Sequence, residues 1–141
     1  MAERILVIDD ELDMLMLLRM IIEENTAWEV ETTNNPSEGL KMVMEDDYNL
    51  VIADLKMPGI DGMEVFEEIK EMKPDIPVII ITAYGSLEIA EEARNKGVAD
   101  FITKPFRKDT ILFTMDRVLE IARLKRENLE LKKKLEEKSR S

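Results

Sequence analysis

The sequence predicts an α/β fold in which a five-stranded parallel sheet is covered by helices on both faces. Three observations predict it. Short apolar runs rich in β-branched residues recur five times. An amphipathic stretch of helical period follows each of them. The runs are apolar over consecutive positions, as strands buried on both faces require.

The first strand is Ile5–Ile8. Trp28–Thr32 alternates weakly and suits a sheet edge. Leu50–Ala53, Val78–Ile81 and Asp100–Thr103 complete the set. Helical patterns cover residues 11–24, 36–46, 62–72 and 86–96, and a longer one starts near 108. Asn35 followed by Pro36 reads as an N-cap and first helical residue. Asp61 with Glu64 three residues later resembles a capping box. Pro74 and Pro77 bracket the stop before the fourth strand. On the first helix Met14, Leu15, Leu17, Leu18, Ile21 and Ile22 share one arc, expected to face the sheet. Leu12, Met16 and Met20 fall on the other side among charged residues, where an exposed apolar stripe would suit docking of a partner. On the last helix Leu112, Met115, Val118 and Leu119 are spaced to pack on the sheet.

Composition narrows the chemistry. The chain has 141 residues, 45% hydrophobic and 36% charged, which suits one compact domain with an added element. There is no apolar run of about 18 residues and no signal-peptide pattern. Cysteine and histidine are both absent. Disulfides, thiol and Ser/His nucleophiles, and nitrogen- or sulfur-ligated zinc, copper and iron sites are therefore excluded. The lack of cysteine fits a cytoplasmic location. Any metal must sit on oxygen ligands, as Mg²⁺, Mn²⁺ or Ca²⁺ do. Glutamine is also absent while Glu and Lys abound, a composition that leans toward a thermophilic source. The net charge is −11, but residues 117–141 carry nine Lys/Arg and five Asp/Glu, a net of +4. The body is thus strongly acidic, which argues against direct nucleic-acid binding.

Polar residues collect where the strands end. Asp9, Asp10 and Glu11 follow the first strand, Asp54 the third, Thr82 the fourth and Lys104 the fifth. In a parallel sheet these ends converge on one crevice. Crowded carboxylates repel unless a cation neutralises them, and Mg²⁺ is the natural hard ion. Lys104 and the Thr82 hydroxyl add donors suited to a dianionic phosphoryl group, with Asp54 as nucleophile. Each residue has an ordinary structural reading too. Asp10 could cap the first helix, Asp54 could be a loop carboxylate before Met57–Pro58–Gly59, Thr82 a strand end and Lys104 a surface lysine. Their coincidence at four strand ends favours the chemical reading.

The stretches VIDDE (7–11), LVIADLKMPGIDG (50–62), PVIIITAYG (77–85) and GVADFITKPF (97–106) resemble the receiver domain of two-component response regulators. The resemblance covers residues 3–120 and implies a flavodoxin-like (CheY-like) α/β/α sandwich of strand order 2-1-3-4-5. It implies phosphotransfer from a sensor histidine kinase to Asp54, in a protein that modifies only itself and is no multiple-turnover enzyme. It implies Mg²⁺, with Mn²⁺ as the substitute, ligated directly by Asp10, partly through water by Asp9, and by Asp54 and the Lys56 carbonyl. Thr82 and Phe101 resemble the switch pair. The Ala83 amide and Lys104 would contact the phosphoryl group, and Lys104 would precede a cis Pro105. The aromatic at 101 is Phe where many relatives have Tyr, so its inward position rests on packing alone. The kinase would approach across Leu12, Met16 and Met20.

Residues 1–120 are thus expected to form the receiver and 121–141 a helical linker. The segment from Arg123 to Leu131 is similar to the linker of NtrC-type activators, in which an AAA+ ATPase acting on sigma-54 polymerase and a DNA-binding domain follow. The chain is accordingly expected to be a fragment of a longer regulator. Ile121, Leu124, Asn128, Leu131 and Leu135 recur at intervals of three and four, a short heptad with Asn128 at a and Leu124 and Leu131 at d, which favours a parallel homodimer. Other readings stay open: a stand-alone receiver, a receiver with a non-transcriptional output, or a Mg²⁺-dependent aspartyl-phosphate phosphohydrolase. Against the last, Lys56 stands where a haloacid-dehalogenase-type enzyme carries its second Asp.

Overall fold

The computed structural model describes residues 3–140. Five strands and five helices alternate: β1 Arg4–Ile8, α1 Leu12–Asn25, β2 Glu29–Thr33, α2 Pro36–Glu45, β3 Leu50–Asp54, α3 Gly62–Met72, β4 Val78–Thr82, α4 Leu87–Lys96, β5 Asp100–Thr103 and α5 Lys108–Arg140. All ladders are parallel and the order is β2-β1-β3-β4-β5, the expected flavodoxin-like topology with β2 at an edge.

The strands split the core in two because successive side chains point to opposite faces. Ile5, Val7, Leu50, Ile52, Ile79 and Ile81 meet residues of α1 and α5. Leu6, Ile8, Val51, Ala53, Val78 and Ile80 meet residues of α2, α3 and α4. Every residue of β3 and β4 is buried, so the apolar runs are continuous. Among the described residues no helix is long and apolar enough to cross a membrane.

Helix ends follow the local chemistry. Asn35 Oδ1 accepts the Ser37 and Glu38 amides, with Pro36 opening α2. Asp61 Oδ1 accepts the Glu64 amide at 2.9 Å and caps α3. Ser86 caps α4. The first helix departs from expectation: Glu11, not Asp10, is its N-cap, and no side chain caps it. Asp9 Oδ1 takes the Glu11 amide at 2.9 Å, and Asp10 is exposed.

The apolar arc of α1 buries Leu15, Leu18, Ile21 and Ile22, with Met14 partly buried against them. Leu17, expected on that arc, is 38% exposed because it lies at the arc's margin. On α5, Met115, Val118 and Leu119 are buried and Leu112 partly so; Ile111, which the spacing argument omits, is fully buried with them. Beyond them, Ile121, Leu124, Leu129, Leu131 and Leu135 are exposed on a helix continuous with the packed segment.

Gly62, the first residue of α3, is fixed by close approach. A Cβ there would stand 2.3 Å from the Asp54 carbonyl oxygen and 2.8 Å from Leu55 Cα, both backbone atoms that cannot swing aside. Its amide donates to the Leu55 carbonyl at 2.8 Å. The end of β3 and the start of α3 are thereby pinned together next to Asp54. Gly62→Ala is expected to cost about 1–3 kcal/mol as overpacking, read as a lowered urea midpoint. An unchanged midpoint would refute the close-packing account.

Candidate functional site: an acidic crevice at the strand ends

Because the strands are parallel, their carboxyl ends open on one side of the sheet. Asp9 follows β1, Asp54 ends β3, Thr82 ends β4 and Lys104 follows β5. Chain order reverses between β1 and β3, the position where such sheets leave a crevice. Asp9 and Asp54 are 2% and 5% exposed and Thr82 is fully buried, whereas Asp10 and Glu11 are exposed.

Lys104 binds this cluster together. Its Nζ donates to Asp54 Oδ2 at 2.7 Å and to Asp9 Oδ2 at 3.0 Å, and Glu11 Oε1 lies 3.6 Å away. Burial opposes the charge on Lys104, but its hydrogen bonds to Asp54 and Asp9 outweigh that and hold its pKa above the ordinary lysine value. Burial pushes the Asp9 carboxyl above the usual carboxylate range, against the pull of the Glu11 amide and the Lys104 ammonium. The second oxygen of Asp54, Oδ1, accepts the Lys56 amide at 3.1 Å.

One carboxylate oxygen from each of Asp9, Asp10, Glu11 and Asp54 lies within 4.8 Å of the other three. An all-oxygen set of this kind, with exposed members beside buried ones, fits a hard divalent cation that keeps some of its waters. Glu11, which the sequence places at the strand end without a ligand role, joins the set; its position directly after two aspartates was the available signal.

The crevice opens into a cavity of about 600 Å³ lined in part by Asp10, Glu11, Asp54, Lys56, Ala83 and Tyr84. Lys56 Nζ sits 4.7 Å from the centroid of the exposed Tyr84 ring, a cation–π contact across the rim. Thr82 Oγ1 accepts the Tyr84 amide at 3.2 Å, which leaves its own proton to donate. The Lys104–Pro105 peptide bond is cis.

The structure therefore brings Asp9, Asp10, Asp54, Lys56, Thr82, Ala83 and Lys104 to one end of the sheet. Phe101 is not among the cavity's lining residues; it is buried in the core on the α2–α4 side. Leu12, Met16 and Met20 are 62%, 70% and 48% exposed on α1, the helix that leaves the acidic loop. Leu124, Asn128, Leu131 and Leu135 lie far along α5 and are all exposed.

Comparison with known proteins follows this geometry. Residues 5–116 match the response regulator receiver domain family. The transcriptional regulatory protein GlrR of Escherichia coli is 39% identical over 116 residues, 82% of this chain and 26% of that protein. The nitrogen assimilation regulatory protein NtrX of Azorhizobium caulinodans is 36% identical over 134 residues, 94% of this chain and 29% of that protein. The chain spans between a quarter and a third of the length of these curated relatives. Among solved structures, NtrX from Brucella abortus superposes with a TM-score of 0.86 at 35% identity, over 93% of this chain and 30% of that one. The beryllofluoride-activated NtrC4 receiver domain dimer gives 0.80 at 34% identity, over 84% of this chain and 98% of that one. With the family match running across all five strands and the whole acidic crevice, the chain belongs to the response regulator receiver domain family.

Proposed function

We propose that this domain accepts a phosphoryl group on Asp54 from a sensor histidine kinase, with Mg²⁺ as its ion and Mn²⁺ as a substitute. The observation that carries the reading is the setting of Asp54. It is a buried carboxylate at a strand end, held at one oxygen by the Lys56 amide and at the other by Lys104, beside a four-carboxylate cluster. In the transfer, an oxygen of Asp54 bonds to phosphorus as the donor's phosphorus–nitrogen bond breaks; the partner's imidazole leaves with the bonding pair and takes up a proton. Lys104 balances the incoming charge, and the Thr82 hydroxyl and Ala83 amide donate to phosphoryl oxygens. Asp9, Asp10, Asp54 and the Lys56 carbonyl would hold the cation, which supplies charge neutralisation when bound. The phosphohydrolase alternative is weaker, because residue 56 brings an amine, not a second carboxylate.

Asp54→Asn is expected to keep the fold and abolish labelling by acetyl phosphate or a kinase, with mass mapping placing the wild-type label on Asp54 alone. Labelling should require Mg²⁺. Its affinity, read by calorimetry, should fall as pH drops through the raised Asp9 value, before ordinary carboxylates titrate, because a ligating carboxylate must be ionised. A label on another residue would sink the assignment.

The exposed stripe of Leu12, Met16 and Met20 beside the crevice is read as the kinase-docking surface. Met16→Asp should slow phosphotransfer from the kinase about tenfold or more, as loss of a buried interface contact does, with acetyl phosphate labelling unchanged. Equal kinase rates for the variant and wild type would remove docking from this helix.

The output reading is transcriptional. It rests on likeness to GlrR and NtrX, named as a transcriptional regulatory protein and a nitrogen assimilation regulatory protein. In that reading the domain is cytoplasmic, with residues 1–120 as receiver and 121–141 as linker. It controls AAA+ and DNA-binding domains of a sigma-54-type activator and itself binds neither nucleic acid nor membrane. The exposed Ile121, Leu124, Leu131 and Leu135, with Asn128 between them, support pairing of two α5 helices, as does the dimer reported for the NtrC4 receiver. Barely two heptads make a weak coil, so the receiver faces must contribute. Sedimentation should show a dimer at high micromolar concentration that weakens on removing residues 122–141. A monomer with and without beryllofluoride would exclude pairing.

A further inference from the structure

The base of the domain, at the amino ends of β4 and β5, holds a cavity of about 550 Å³. It lies at the opposite end of the strands from Asp54. Its floor is apolar: Phe66, Ile76, Pro77 and Val98 line it, and Phe66 and Val98 are buried. Its outer wall is α5. Val118, Ala122, Lys125 and Leu129 line that side at intervals of four, three and four, so they share one face of the helix. The wall runs for roughly 16 Å at the helical rise per residue. A second cavity, of about 420 Å³, adjoins the first, and Pro74, Asp75, Ile76 and Arg126 line both.

Positive charge collects over this floor. Lys70, Lys125 and Arg126 line the first cavity against Asp75 alone. Lys70 Nζ donates to the Lys96 carbonyl at 3.0 Å and sits 5.8 Å from the centroid of the Phe66 ring, which fixes its charge beside the apolar floor. Among the described residues no carboxylate is within ion-pair reach of Lys125 or Arg126. In the adjoining cavity Lys73 is already engaged, by the Asp46 carbonyl at 2.7 Å and the Asp47 carboxylate at 3.4 Å. The heptad face of α5 does not cover the groove. Leu124, Asn128, Leu131 and Leu135 lie roughly 130° round the helix from Ala122, Lys125 and Leu129. Two helices paired through the heptad therefore leave the groove open, with Leu129 outside the seam.

We infer that this groove is a docking site for a short acidic segment of a partner protein that carries bulky apolar side chains. Charge complementarity carries the choice of occupant. The apolar floor takes the side chains, and Lys125 and Arg126, with Lys70 beside them, meet the carboxylates. The body of the chain is otherwise strongly acidic, so an acidic segment is repelled elsewhere and finds favourable charge here. An occupant touches the body on one side and α5 on the other, so its binding acts directly on the helix that leaves the domain. The crevice at Asp54 takes no part, and the inference stands or falls apart from the phosphoacceptor reading.

The test uses the whole chain and a fluorescein-labelled peptide in which Leu-Phe-Leu is flanked on both sides by glutamates. Fluorescence anisotropy should show saturable binding at micromolar concentrations, and methyl NMR should show shifts on both walls, at Ile76 and Val98 and at Leu129. Leu129→Ala should weaken binding roughly tenfold, as should Lys125→Glu with Arg126→Glu. All three residues are exposed on α5, so the fold is kept. Lys133→Glu with Lys134→Glu makes the same charge change beyond the groove, and Leu131→Ala removes a leucine of the heptad face; each should cost less than about twofold. A control peptide with three serines in place of Leu-Phe-Leu should lose most of the affinity. Any of four results overturns the proposal: no saturable binding, equal affinity for the serine peptide, an equal loss from the changes at 133 and 134, or shifts confined to α5. Binding to phosphatidylglycerol vesicles that needs Lys125 and Arg126, with none to the peptide, would make the groove a lipid site and overturn it as well.

Discussion

Lys104 is the cation on which the crevice depends. Two carboxylates, Asp9 and Asp54, are buried on neighbouring strands of a sheet with apolar packing on both faces, and mutual repulsion at such a site opposes folding. A single ammonium within hydrogen-bond reach of both relieves it, and it arrives from the other end of the sequence, 95 residues after Asp9. The sheet order makes this possible: β5 lies two strands from β3 and three from β1, and a lysine is long enough to reach back across that interval. The same arrangement leaves the cluster short of positive charge, since Lys104 alone pairs with three of its four carboxylates, Asp9, Glu11 and Asp54. A hard divalent ion held by oxygen ligands would correct that deficit.

Much of this was legible in the sequence because it is encoded locally. Buried parallel strands need unbroken apolar runs, so Leu50–Ala53 and Val78–Ile81 announce themselves, and an Asn-Pro pair announces the start of α2. The strand-end residues could be found by asking only which polar side chains follow each run. What stayed hidden depends on packing between distant segments. Leu17 fits the apolar arc of α1 by period, yet sits at its margin, and period alone does not say where an arc ends. Asp10 looks like a cap, yet α1 starts one residue later, with Glu11 at the N-cap and no side-chain cap. Residue 62 reads only as the start of a helix, and the sequence does not show the backbone of residues 54 and 55 pressing on it. At the far end of the sheet, Arg4, Glu31 and Tyr48 form a cluster across β1, β2 and the loop before β3 that no spacing rule suggests. There the Tyr48 hydroxyl donates to Glu31 and, with Arg4, holds that carboxyl below its usual range.

The helix that leaves the body has two different faces along its length. Up to Leu119 it is part of the core, and from Ile121 onward its large apolar residues are exposed. A rigid helix spanning both regions transmits any change in how the body packs, since helical hydrogen bonds do not allow one half to turn without the other. The charge distribution adds to this. An acidic body and a basic, mixed-sign tail do not repel each other, while two acidic bodies do, so any pairing of two copies would be favoured where the acidic surface is least dense or where the tails meet.

The lack of a hydroxyl on Phe101 has a physical consequence. A phenol at this position can take a hydrogen-bond partner in either of two orientations, so its preference is set by polar contacts. A phenyl ring has no such partner and goes where it loses least packing. Its position is then decided by the shape of its surroundings, and here the least forgiving part of that shape is the strip of loop backbone at Gly85. Electrostatics at Asp54 and packing at Phe101 thus meet in the same four-residue segment. Its first residue, Thr82, takes the Tyr84 amide on its hydroxyl, and its fourth, Gly85, faces the Phe101 ring across bare backbone.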